Sequence, residues 1–269
     1  FIIDYATDDG SATIAGGDYS AETGILTFAG NDGEEHSITV NTVDDDYLES
    51  TENFVVNLSG ISNALVNDDD DQGIATLNDN DNATLTVSDE STTEGGTLEF
   101  TVTLNGDVQE SFTLDYETND LSASSIEASD YTAVSGNLNF SGSDGESKTI
   151  SIATTNNNIL EPDETFELNF TAISNALVGY DNQAIGTIVD NDPATLSISG
   201  LTATEDDVNT TETFIVSISR VAQEDIEVSF DVTANTATET NDYIISTNSA
   251  VITAGNTSTT IPITIVGDL

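Results

Sequence analysis

Residues 98–116 read LEFTVTLNGDVQESFTLDY. Leu98, Phe100, Val102 and Leu104 alternate with polar residues, and after a turn carrying Asn105 and Gly106 the alternation resumes at Phe112, Leu114 and Tyr116. A period of two places one set of side chains on a single face, which marks a half-buried strand. Outward from this pair, similar short runs occupy 83–88, 138–140, 149–153, 166–170 and 184–189, making seven strands between turns rich in Gly and Asn. No stretch has helical periodicity. Seven short antiparallel strands in about a hundred residues predict an immunoglobulin-like β-sandwich, all-β in class.

The sandwich repeats. ISNALV occurs at 61–66 and again at 173–178, and the pair Asp-Tyr recurs at 18–19, 130–131 and 242–243. Asp-Asn-Asp closes two copies, at 79–81 and 190–192. The spacing divides the chain into 1–81, a repeat expected to lack its first strands, 82–192, a complete repeat, and 193–269, a repeat expected to lack its end. One sandwich domain fits each interval. The expected architecture is therefore tandem seven-stranded antiparallel sandwiches, end to end, with almost no linker between them.

The composition restricts what such a chain can bind. Fifty Asp and Glu stand against two basic residues, Lys148 and Arg220, for a formal charge of −48. That surface repels nucleic acid and anionic lipid, and it repels itself unless cations sit on it. Without Cys there is neither a disulfide framework nor a thiolate metal site, so small domains of this kind need another staple, and bound metal is the usual substitute. No apolar stretch approaches the ~18 residues of a membrane span.

If the strands run alternately up and down, the loops after strands one, three and five share one pole with the end of strand seven. In the middle repeat those places hold Glu94, Asp130, the stretch 156–164 with Asn156, Asn157, Glu161 and Glu164, and then Asp190 and Asp192. In the first repeat they hold Asp18, Asp44, Asp45, Asp46, Glu49, Glu52, Asp79 and Asp81. So many carboxylates at one end raise one another's pKa values and oppose folding unless hard cations neutralise them. Ca2+ is the natural candidate, because it accepts six to eight oxygens in flexible geometry while softer metals favour His and Cys. A solvated acidic rim is the competing reading, weakened by the recurrence of the clusters at matching positions.

The combination TTEGGTLEFTVTL, SDYTAVSGNLNF, ILEPDETFELNF and GTIVDND resembles the Calx-beta repeat, as do GDYSAETGILTF and DDDYLESTENFVVNL in the first copy. The resemblance spans essentially the whole chain. It implies a calcium cluster at the distal loops, held by Glu94, Asp130, Glu161, Glu164, Asp190 and Asp192 in the middle repeat. In the first repeat it implies Asp18, Asp44, Asp45, Glu49, Glu52, Asp79 and Asp81, with the Tyr47 carbonyl as a main-chain ligand. In the third repeat Glu205, Asp242 and Asp268 fit the pattern. Asn156, Asn157 and Asn158 stand where the family often has Asp, so fewer or weaker ions are expected there.

Three functions compete. The first is a calcium-rigidified stalk of a large secreted or cell-surface bacterial adhesin or filament, as in giant repeat adhesins, including those of gliding species. Its partners are the neighbouring repeats of the same chain, and any receptor or polysaccharide contact is expected in other domains. The second is a calcium-sensing regulatory module of a transporter or receptor, as the likeness to exchanger regulatory domains suggests. The third, an enzyme, is disfavoured: the carboxylate pairs recur with every repeat, there is no Trp platform for a sugar, and His36, the single histidine, reads as a strand-edge surface residue. The SNALV segments, at the opposite pole, are expected to pack against the preceding repeat. The acidic insert at 67–71 is compatible with cation binding or with simple solvation.

Overall fold

The computed structural model describes residues 1–67, 70–126 and 129–268, and every regular element among them is a strand. Two residues of the acidic insert, Asp68 and Asp69, lie outside the described residues. The first repeat contributes β1 (Ile2–Asp9), β2 (Thr23–Thr27), β3 (Tyr47–Leu48), β4 (Glu52–Ser59) and β5 (Gln72–Leu77), with a four-stranded sheet in the order β2-β1-β4-β5.

The middle repeat contributes β6 (Thr84–Thr86), β7 (Glu90–Thr93), β8 (Thr97–Asn105), β9 (Asp107–Val108), β10 (Phe112–Asp120), β11 (Ser135–Phe140), β12 (Ser147–Ala153), β13 (Glu164–Ile173), β14 (Gly179–Tyr180) and β15 (Gln183–Val189). Its sheets run β11-β10-β13-β15-β7 and β12-β8-β6-β14. The third repeat has β16 (Leu196–Ile198), β17 (Thr210–Ile218), β18 (Ile226–Ser229), β19 (Tyr243–Ile244), β20 (Ser249–Ile252) and β21 (Ser258–Ile265), ordered β16-β17-β21-β19 with β18 paired to β20.

The alternation that suggests β8 is the alternation that builds the core. Leu98, Phe100, Val102 and Leu104 are all buried, and they meet Leu114, Phe140, Ile152, Phe166 and Leu168 between the two sheets. Tyr131, next to Asp130, stacks on Phe166 with ring centroids 4.3 Å apart, and Phe166 also meets Phe100 edge-on at 6.3 Å. The hydroxyl of Tyr131 donates to Asp120 Oδ1 at 2.5 Å, which satisfies the one polar atom of an otherwise buried ring. The first repeat reproduces the arrangement with Tyr19 on Phe54 at 4.2 Å and Tyr19 donating to Asp9 at 2.7 Å.

The structure departs from the sequence expectations in three places. The strand expected at 83–88 is the short β6, antiparallel to β8, and just beyond it the chain forms a further strand in the other sheet, β7, parallel to β15. Packed sheets of a sandwich diverge through their twist, so an edge strand can leave one and continue on the other. Asp89 fixes the crossing by accepting a hydrogen bond from the Ile185 N–H at 2.7 Å. The SNALV expectation is also corrected in the middle repeat: Val178 is buried in the core of its own repeat, whereas Leu177 is half exposed. His36 lies outside any strand, edge-on to Phe28 and 3.1 Å from Glu34.

Adjacent repeats touch through short parallel pairings. β3 of the first repeat runs beside β9 of the middle one, and Leu160 bridges to Ala222 of the third. In the third repeat an apolar cleft of about 430 Å³ opens beside Phe214, Phe230, Tyr243 and Ile261.

Phe166 carries the tyrosine and hence the loop of Asp130. Phe166→Ala is expected to destabilise the middle repeat by about 3–5 kcal/mol, measured by urea unfolding; a loss below about 1 kcal/mol would contradict this packing account.

Candidate metal centres at the repeat junctions

The crossing of the edge strand has a consequence for chemistry. Because β7 runs parallel to β15, the Glu94 N–H donates to the Val189 carbonyl at 3.0 Å, which sets Glu94 beside Asp190. Carboxylate oxygens of Glu94, Asp190 and Asp192 lie within 4.8 Å of one another. Asp130 comes in from the loop between β10 and β11, Glu161 precedes β13 and Glu164 begins it. With Glu94 and Asp190 these three line one small cavity, of about 10 Å³.

The loop before each Asp-Tyr pair aims the aspartate. Asp130 Oδ2 accepts from the Ser124 N–H at 2.8 Å, Asp18 Oδ2 from the Thr13 N–H at 2.5 Å, and Asp242 Oδ2 from the Thr238 N–H at 2.6 Å. One oxygen is tied to the loop in each case, leaving the other to point elsewhere. Ser129, immediately before Asp130, holds φ at 59°, a left-handed conformation that costs a residue with a Cβ about 1–2 kcal/mol. Gly17 fills the matching position of the first repeat at φ 102°, where a glycine is unstrained.

Three carboxylate oxygens of the middle centre, Glu94 Oε1, Asp130 Oδ1 and Asp192 Oδ2, are buried with no hydrogen-bond partner. The residues that carry them are only 6%, 5% and 4% exposed. Charged oxygens removed from water and left unpaired are costly, and native proteins pair them or give them a metal. The donors here are all oxygen, which suits a hard cation of the Ca2+ type.

The first repeat gathers a denser set. Asp18, Asp44, Asp45, Glu49, Glu52, Asp79 and Asp81 line a cavity of about 60 Å³, and oxygens of Asp18, Glu49 and Glu52 lie within 4.8 Å of one another. Asp79 bridges the cluster, accepting from the N–H of Glu49 at 3.1 Å and of Asp81 at 3.3 Å. Asp46 does not line the cavity, but its charge reaches Asp81. Tyr47 is tied back by its N–H to Asp45 at 2.9 Å and takes part in the β3–β9 pairing.

Not every expected residue joins a cluster. Asn156 Oδ1 accepts from Asn191, and Asn157 Oδ1 accepts from the Ile159 N–H at 2.6 Å while its amide donates to Glu161 at 2.9 Å. The structure thus spends one of these oxygens on the loop itself and the other on the closing Asp-Asn-Asp run, and leaves Asn156 and Asn157 off the cavity wall. Asp242 is held by Thr238, Glu205 and Asp268 are exposed, and among the described residues no group of three acids forms in the third repeat.

Three residues missed by sequence reasoning stand at these centres. Arg220, on the third repeat, forms an ion pair with Asp192 Oδ1 and also donates to Asn158 at 3.2 Å. Gln223 donates to Glu164 Oε1 at 3.0 Å, and Gln109 to Glu49 Oε1. Their only sequence signal is a shared place after the second strand of each repeat.

Crowding marks the acids electrostatically. Burial, then the neighbouring charges of Asp45, Asp18, Glu52 and Asp79, pushes Glu49 up to about 7. Burial, with Asp130 and Glu161 beside it, pushes Glu164 up to about 7 despite the hydrogen bond from Gln223. Burial likewise raises Glu52, Asp81, Glu94 and Glu161. A folded chain that holds protons the unfolded chain has released loses stability as pH rises through that window. Without metal, the melting temperature should therefore fall between about pH 4.5 and pH 7, and calcium, which binds the deprotonated form, should flatten or reverse the trend. Differential scanning calorimetry in chelator and in calcium checks this; a metal-free melting point that climbs through the same range would contradict it.

The family model for the Calx-beta domain matches the chain three times, over residues 1–91, 68–192 and 190–269. Among solved structures, the apo-form Calx CBD1 domain is 22% identical with a TM-score of 0.37, covering 42% of this chain and 100% of that one. The calcium binding domain CBD12 of CALX1.1 is 19% identical with a TM-score of 0.36, covering 70% of this chain and 76% of that one. Escherichia coli alpha-2-macroglobulin activated by porcine elastase is 7% identical with a TM-score of 0.25, covering 100% of this chain and 26% of that one. No curated protein matches in sequence. Taken together, the three family-model matches run the length of the chain, and it belongs to the Calx-beta family.

Proposed function

We propose that this chain is a calcium-rigidified stalk segment of a large secreted or cell-surface bacterial adhesin or filament, acting by extension rather than by catalysis. The observation that carries the reading is the set of buried, unpartnered oxygens on Glu94, Asp130 and Asp192, at the pole where the third repeat docks. A cation there would relieve the repulsion within one repeat and between two. Asp18, Asp44, Asp45, Glu49, Glu52, Asp79 and Asp81 are the proposed ligands in the first repeat, and Glu94, Asp130, Glu161, Glu164, Asp190 and Asp192 in the middle one.

The two junctions are expected to respond differently. At the second, Arg220 already supplies one positive charge to Asp192. The first has Gly106 at the matching place before its pairing, and no basic residue. Chelation should loosen the first junction more than the second.

Several features support the stalk. Three tandem copies with nearly contiguous boundaries, no cysteine and a charge of −48 suit a long, soluble rod in a calcium-rich exterior. Calx-beta domains are binding modules without a catalytic role. Among the described residues no helix is long and apolar enough to cross a membrane. The second reading, a calcium-sensing regulatory module, draws on the same family membership, and affinity separates the two. Extracellular modules bind at ~10⁻⁴ to 10⁻³ M and intracellular sensors at ~10⁻⁷ to 10⁻⁵ M.

A site held at a hundred times its Kd adds about 2.7 kcal/mol of stability, on the order of 10 °C in the melting temperature of a domain this size. Calorimetric titration and thermal melting should therefore show sub-millimolar to millimolar binding and an upward shift, with Mg2+ far less effective. Glu94→Gln should shrink the shift of the middle repeat while leaving that of the first. A chain whose melting point ignores calcium would contradict the reading, and nanomolar to micromolar affinity would favour the sensor.

A further inference from the structure

We infer that Leu48 and Leu160 are pegs by which the acidic loop of one repeat locks into the next repeat, with Gln109 and Gln223 tying each lock to the carboxylates. The inference rests on the calcium reading above and names the part of the chain that turns occupancy into stiffness.

Leu48 is a lone aliphatic residue in the acidic run DDDYLESTE, and Leu160 sits 112 positions later in NNNILEPDE. Neither is buried by its own repeat. Leu48 is 6% exposed because it belongs to the core of the middle repeat, in the same cluster as Val108, Phe112 and Phe140. Leu160, half-buried, packs against the core of the third repeat, with Val216, Ala222 and Ile252. Each peg is also a strand of one or two residues. The Gln109 N–H donates to the Leu48 carbonyl at 3.3 Å; the Leu160 N–H donates to Val221 at 2.8 Å, and the Gln223 N–H to Leu160 at 3.0 Å.

Each socket is braced on the far side of the pairing by a glycine turn, in opposite senses: the Val108 N–H donates to the Gly142 carbonyl at 2.7 Å, whereas the Gly255 N–H donates to the Ala222 carbonyl at 2.9 Å. Gly142 is required: its φ is 101°, and a Cβ there would stand 2.2 Å from the Val108 carbonyl oxygen. Beside the peg, the amide of Gln109 donates to Glu49, the residue after Leu48, and the amide of Gln223 donates to Glu164, four residues after Leu160.

The loop that bears the peg also bears the crowded charges, so its shape depends on how they are neutralised. Like charges spread an empty loop and strain the register of the pairing, whereas a bound cation draws the loop together with the leucine presented to its socket. Coupling of this kind is reciprocal, so a docked neighbour should also raise the affinity of the loop for calcium.

The test compares the whole chain with the Leu48→Ser/Leu160→Ser double variant and with Gly142→Ala, which disturbs the first socket without touching an acidic loop. Small-angle scattering reads the maximum dimension in chelator and in calcium, calorimetry reads calcium stoichiometry, and circular dichroism reads whether the strands remain. The parent should take up calcium and change dimension. The double variant should keep the stoichiometry and bind a few-fold more weakly, yet lose the calcium-dependent change; Gly142→Ala should lose part of it. A double variant that binds calcium and stiffens as the parent does overturns the pegs. If the parent binds no calcium, the functional reading falls, and the pegs are judged in chelator alone, where a variant no looser than the parent overturns them as well.

Discussion

Like charge gathered where two domains meet is the constraint on which this structure turns. Fifty acids against two basic residues would be tolerable if the charges were spread over solvent, where screening reduces exposed pairs to small energies. They are not spread. The up-and-down course of the sandwich delivers acids from separate loops to one pole, and three of their oxygens end up buried without partners. A fold that concentrates repulsion in this way is stable only if something positive arrives. At the second junction Arg220 supplies part of the answer to Asp192, and the crowded glutamates, raised well above their usual range, show how much is left to supply.

The same pole is where the next repeat begins, and there electrostatics becomes mechanics. A pairing of one or two residues is a weak joint by itself, because a short isolated strand pair is marginal in water. Here the joint is reinforced by a leucine in the neighbouring core and by a glutamine on the carboxylate of the preceding repeat. On the reading proposed above, neutralising the loop, holding its shape and seating the leucine are consequences of one event. The recurrence of the arrangement at both junctions, with different residues around it, marks it as a property of the repeat.

Much of this was legible in the residues. Alternation in 98–116 identifies β8 and β10, because a strand packed on one face must alternate. Parity of the strands predicts which loops share a pole, and the structure does bring Glu94, Asp130, Glu161, Glu164 and Asp190 around one cavity. The rest was hidden for physical reasons. β7, with the sequence ESTT, has no apolar alternation to reveal it, since it pairs at a sheet edge. The tyrosine of Asp-Tyr looks like part of the motif's chemistry, but it is the stacked seat on Phe166 or Phe54 that places the aspartate. Asn156 and Asn157 offer oxygens in the sequence, whereas in the structure Asn157 uses its oxygen to hold the loop's own turn and Asn156 gives its oxygen to Asn191. Leu48 and Leu160 had a visible signal, a single leucine at matching places in two acidic loops, with nothing nearby in sequence to bury it.

The central claim is that hard cations occupy the acidic poles between repeats. Diffraction from crystals grown in millimolar calcium, with anomalous differences collected at long wavelength, addresses it directly. The account predicts anomalous peaks among Glu94, Asp190 and Asp192 and among Asp18, Glu49 and Glu52, with those oxygens turned toward them. Featureless junctions, with the same side chains spread into solvent, would contradict it.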